Sequence, residues 1–134
     1  MDTKARDIVR SGVVSATFPE RNSARVTFED KDDNVSAELR ILNSGSLKNK
    51  HYWMPDVGDE VVCIYATNDE NYGTGWIIGA CYNKDAAPRV HSQDKMRIDF
   101  ADGTWIEYDR SSHELNINCI GDIRIKGKNI FLNE

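Results

Sequence analysis

Residues 95 to 132 carry the pattern that most restricts what this chain can become. In "KMRIDFA" Met96, Ile98 and Phe100 alternate with polar neighbours, and "TWIEYD" continues with Ile106 and Tyr108. "ELNINC" adds Leu115, Ile117 and Cys119, "DIRIKG" adds Ile123 and Ile125, and "KNIFLNE" adds Ile130 and Leu132. A period of two is the signature of strands with one buried face. Gly103, Gly121 and Gly127 stand at or beside the breaks, where positive φ is easiest. The pattern predicts a five-strand meander whose other face carries Arg97, Asp99, Glu107, Asn116, Arg124 and Lys126.

That meander cannot stand alone. Burying one such apolar side chain is worth about 1.5 to 3 kcal/mol. Exposing the whole row therefore forfeits more than the total stability of a typical domain, about 5 to 15 kcal/mol. No later segment of the sequence covers the face. Three copies turning their apolar faces to one axis would make a triangular prism with a dry core, so a homotrimer is expected.

The earlier part of the chain reads as short strands with turn signals between them and no amphipathic helix. "IVRSGVVSATF" (8–18) is followed by "ARVTFED" (24–30), with Ala24, Val26 and Phe28 on one side, and by "VSAELRIL" (35–42), with Val35, Ala37, Leu39 and Ile41 inward and Ser36 outward. "DEVVCIYAT" (59–67) and "GWIIGACY" (75–82) are apolar at consecutive positions, which predicts burial of both faces. One small barrel covers only one face. The second lies either under the segment 43–58 or against another subunit, and Trp53, Val62, Ile64, Trp76 and Ile78 are the candidates for that surface. Five strands with a long third connection suit an oligonucleotide/oligosaccharide-binding (OB) barrel. The expected fold class is thus all-β: an N-terminal OB-type barrel over 1–82, a Pro88-bearing linker over 83–93, and a short trimeric β-helix or β-prism spike over 94–134.

Composition and motifs narrow the chemistry. A chain of 134 residues, 40% hydrophobic, is globular in composition. A net charge of -5 points away from a phosphate-rich partner, so no specific nucleic-acid partner is expected. "MDTKARDIVRSG" holds no signal-peptide run and "GWIIGACY" is too short to cross a bilayer, which leads to an expectation of a cytoplasmic product. Cys63, Cys81 and Cys119 are odd in number and lie in apolar strand patterns, which favours reduced, buried thiols. They lack CxxC spacing, and His51, His91 and His113 are solitary, so no metal and no other cofactor is expected. His113 in "RSSHEL" reads as a hairpin-turn residue. Neither GxSxG nor GxxxxGK[ST] is present, so no catalytic residue and no enzymatic activity are expected.

The segments "RSGVVSATFPERNSARVTFEDKD", "HYWMPDVGDEVVCIYAT", "GTGWIIGACYN" and "FADGTWIEYDRSSHELNI" resemble successive parts of the baseplate assembly protein V family, the central spikes of contractile phage tails. The resemblance runs from about Val9 onward. It implies a homotrimer with an OB barrel and an intertwined β-helix, mounted beneath a baseplate hub and driven through the target envelope in transient contact with it. It also implies a phage or phage-tail-like particle as the location, with assembly in the bacterial cytoplasm. Some spikes carry a lysozyme domain between barrel and helix, for which residues 83–93 leave no room. Some end in a His-x-His metal apex, which this sequence lacks. On related spikes a separate conical protein of the proline-alanine-alanine-arginine repeat class forms the tip. Here Ile130, Phe131 and Leu132 would receive it.

A different class of function competes. OB barrels hold single strands by stacking bases on aromatics along a basic groove, and "KNKHYW" offers Lys48, Lys50, His51, Tyr52 and Trp53 in one segment. A binding module for single-stranded nucleic acid or glycan is the alternative.

Overall fold

Alternation in the first part of the chain closes a barrel. The computed structural model describes residues 8–29, 34–66 and 73–133. The readings made above for residues 1–7, for 30–33, for 67–72 and for Glu134 lie outside the described residues. The strands of the first part are β1 (Val9–Phe18), β2 (Ser23–Phe28), β3 (Asn34–Val35), β4 (Leu39–Ile41), β5 (Glu60–Tyr65) and β6 (Gly75–Cys81). Their order is β1-β5-β6-β4-β2, with β1 pairing back onto β2, so five strands form a closed barrel. All pairings are antiparallel except β4 with β6. This arrangement fits the OB-type expectation.

One long strand makes closure possible. β1 pairs with β5 through Val9–Val13 and with β2 through Val13–Phe18, and a bulge between Val14 and Ala16 helps it bend. The bend brings Gly12 so close to β2 that a Cβ there would lie 2.6 Å from the Thr27 carbonyl oxygen. Ala24, Val26 and Phe28 point inward as expected and meet Val61, Cys63 and Ile77 in the core.

The strand expected over 35–42 is interrupted, and its parity changes. Ser36 is buried and Val35 exposed, the reverse of the simple alternation. The Ser36 hydroxyl oxygen accepts the Val26 N–H at 2.9 Å and the Ser36 N–H donates to the Val26 carbonyl at 2.8 Å. A side chain thus replaces one rung of the ladder and breaks the strand into β3 and β4. Leu39 and Ile41 then return to the inward face.

The segment 43–58 closes over the barrel. Trp53 and Met54 pack against the core, the Trp53 indole N–H donates to the Leu42 carbonyl at 3.1 Å, and the Asn22 amide donates to the Trp53 carbonyl at 3.0 Å. Asn22 reaches it from a left-handed backbone (φ 51) after a single 3-10 turn, Pro19–Arg21.

By contacts the chain divides into one compact unit ending at Ala87 and a second beginning at Pro88. The second contains an antiparallel meander of β7 (Lys95–Asp99), β8 (Trp105–Asp109) and β9 (Glu114–Asn118). Its β7–β8 turn uses Gly103 at φ 98, and its β8–β9 turn places His113 at φ 61. Gly121 and Gly127 do not have positive φ. The fourth and fifth strands expected over 122–127 and 128–134 do not form within this chain, among the described residues. Alternation supplies two-sidedness, but a strand also needs a neighbour's amides and carbonyls, and among the described residues none provides them there.

Candidate interaction surfaces

The register of the second unit brings its predicted apolar residues into two rows on one face. Met96, Tyr108 and Leu115 are directly opposite one another across the three strands, as are Ile98, Ile106 and Ile117. This face is open: Met96 is 82% exposed, and Ile98, Tyr108, Leu115 and Ile117 are also exposed. Phe100 follows β7 and is exposed as well. Cys119 sits half-buried beyond β9, with its Sγ 3.6 Å from the Asp122 carbonyl.

The opposite face is the more deeply covered one. Glu107 is only 6% exposed. Arg97 lies across from it and donates to Glu107 Oε1 at 3.1 Å and to Asp99 Oδ1 at 3.0 Å. Lys95 Nζ stands 3.7 Å from Glu107 Oε2. Beneath the guanidinium lies Trp105, whose ring centre is 4.3 Å from Arg97 Cζ. Cross-strand ion pairs and an indole thus cover the Arg97–Glu107 centre of the polar row, whereas Asp99, Arg124 and Lys126 stay exposed.

Beyond β9 the chain continues without a partner. Among the described residues no backbone hydrogen bond is made by the amides of 121–133. Ile120, Ile123, Ile125, Ile130, Phe131 and Leu132 are all exposed. Unpaired backbone and an exposed apolar row together make this segment a template for another chain.

The barrel offers a second surface. Val62, Ile64, Trp76 and Ile78 lie on its outside, half-buried or exposed, with Ile64 opposite Trp76. Val9 extends that row, because it pairs with Ile64. Nothing local in the sequence marks Val9; only the β1–β5 register joins it to the patch. Trp53 does not join the row and packs against the core instead. Of the three thiols only Cys63 is buried, and burial pushes it up to about 11. Cys81 is exposed.

The segment 43–53 forms a third, largely exposed surface. The His51 N–H donates to the Gly45 carbonyl at 3.4 Å, and a Cβ at Gly45 would collide with the Asn49 carbonyl. Lys48, Lys50, His51 and Tyr52 are exposed on this loop. Among the described residues no group of three or more His, Cys, Asp or Glu could hold a metal ion. Among the described residues no helix is long and apolar enough to cross a membrane.

No protein-family model matches the chain. It is similar to a protein described as "Spike protein" from Escherichia phage P2, with 26% identity over 115 residues, covering 86% of this chain and 52% of that protein. The chain spans about half the length of the curated relative it matches. The similarity is thus a distant one to a phage spike protein.

Proposed function

We propose that this chain is a structural spike of a contractile-tail baseplate, working as a homotrimer and mechanically rather than as an enzyme. The observation that carries the reading is the reversed burial of the second unit. Its apolar face and the apolar row of 121–133 are open while Glu107, at the centre of its charged face, is buried. Three copies would bury the open face at one axis, and 121–133 of each copy would find strand partners in the others. Barrel (1–82), linker (83–93) and spike (94–134) then have separate tasks. The outer row Val62, Ile64, Trp76 and Ile78 holds the hub, the trimeric sheet transmits thrust to the target envelope, and Ile130, Phe131 and Leu132 carry a separate tip protein of the proline-alanine-alanine-arginine repeat class. The similarity to the phage P2 spike protein supports this reading.

Light scattering coupled to size exclusion tests it. The expected mass is three times the 15.2 kDa of one chain. A clean monomer at micromolar concentration would overturn the spike. The second reading, a binding module, rests on the joint exposure of Lys48, Lys50, His51 and Tyr52. It predicts a monomer that binds single-stranded oligonucleotide in a salt-sensitive way.

A further inference from the structure

The loop 43–53 is built to project. Its base is fixed by the Trp53 indole on the Leu42 carbonyl and by the Asn22 amide on the Trp53 carbonyl. Its tip carries Leu47, 84% exposed, beside Lys48 and Lys50. Residues 47–52 contain two lysines and no carboxylate, so they contribute +2, and the rest of a chain of net charge -5 carries -5 - 2 = -7. An exposed basic loop on an acidic molecule is complementary in charge to other copies of that molecule.

The same barrel carries a concave counterpart. A cavity of about 260 Å³ is lined by Ser11, Gly12, Val13, Glu29 and Glu60. Among the described residues neither carboxylate makes an ion pair, and neither do Lys48 and Lys50. Two different patches of opposite charge on one surface can make a head-to-tail contact, and such contacts close into rings when the rotation allows.

We infer that in the assembly the loop 43–53 of one copy docks on the Ser11–Glu29–Glu60 face of the next barrel, with Lys48 and Lys50 meeting Glu29 and Glu60. This rests on the trimer proposed above, in which the short linker keeps neighbouring barrels at high effective concentration. The contact would join the barrels into a ring independently of the C-terminal sheets, and it would weaken with salt.

The test uses the full chain, refolded from a mixture of unlabelled and ¹⁵N-labelled copies and treated with a zero-length carbodiimide cross-linker. The expected product is a heavy–light peptide pair joining Lys48 or Lys50 to Glu29 or Glu60. Amide exchange supplies a second readout. Residues 44–52 should exchange at least tenfold faster in E29K/E60K, which leaves the loop itself untouched. K48E/K50E, altered only at exposed positions, should show the same loosened barrels without risk to the fold. Combining all four substitutions should restore both protection and cross-links. A trimer without heavy–light pairs, or with loop exchange unchanged in E29K/E60K, overturns the docking and leaves the spike standing. A monomer overturns the spike and the docking with it. Salt-sensitive binding of a single-stranded oligonucleotide that K48E/K50E abolishes, with no heavy–light pairs, overturns the docking in favour of strand binding.

Discussion

The two units of this chain use the same alternation and bury opposite faces. In the barrel Val26, Phe28, Val61 and Ile77 are sealed by the closure of β1 onto β2. In the meander Glu107 is sealed, while Met96, Leu115 and Ile117 stand in the open. The difference lies in closure. Five strands wrapped into a barrel supply their own second layer, whereas three strands in a row leave one face for someone else. An open apolar face beside a partly covered ionic one is the feature on which the proposed trimer rests.

The sharpest way to break this contrast is at Ile125. If it faces a trimer axis, Ile125→Asp sets three carboxylates in a low-dielectric core at a cost of several kcal/mol per ion, about the stability of a whole domain. Scattering should then report monomers. Arg124→Asp, one residue away and highly exposed in a 3.9 Å surface pair with Asp122, should keep the trimer. Equal tolerance of both would refute the assigned face.

Phe28→Ala asks the same question of the barrel. Phe28 is buried, and the loss should be about 3 to 5 kcal/mol in denaturant titrations. The mass should stay that of three chains if the C-terminal sheets hold the assembly. Loss of the trimer would show that barrel and sheet are one cooperative unit.

Glu107→Ala is a smaller perturbation. Arg97 keeps Asp99 and its place over Trp105, so the expected cost is about 1 to 3 kcal/mol, read as a lowered melting temperature. A gain in stability would mean that the ionic face is a burden to the sheet.

Acidification should have the mildest effect. A hydrogen bond from Arg21 holds the Glu38 carboxyl below its usual 4.5. The Thr104 N–H and the Ser111 hydroxyl hold Asp102 and Asp109 below their usual 3.8. Each depressed group adds stability that is present above its unfolded value and lost as pH falls through the folded one. Melting temperature should therefore be flat near neutrality and decline below about pH 4.5. Asp109→Asn should flatten part of that decline, and an unchanged acid profile would remove the β8–β9 turn from the account.

The membership of each face was legible wherever the alternation ran unbroken. Ala24, Val26 and Phe28 share the core, and Met96, Ile98, Ile106, Tyr108, Leu115 and Ile117 share one side of a sheet. Legibility failed where a side chain acted as backbone. Ser36 offers its hydroxyl to Val26, and a residue that should face water turns inward. It failed again at Val9 and Trp53, whose positions depend on strands and loops far away in sequence.

The sequence by itself determined the strand class and the two-sidedness of each strand, because side-chain period is a local property of extended backbone. Only the tertiary structure decided which face is shut. Closure of β1 on β2 shut the apolar side of the barrel, and the Arg97–Glu107 pairing shut the charged side of the meander. Residues 121–133 have neither among the described residues, since pairing and covering are relations between segments.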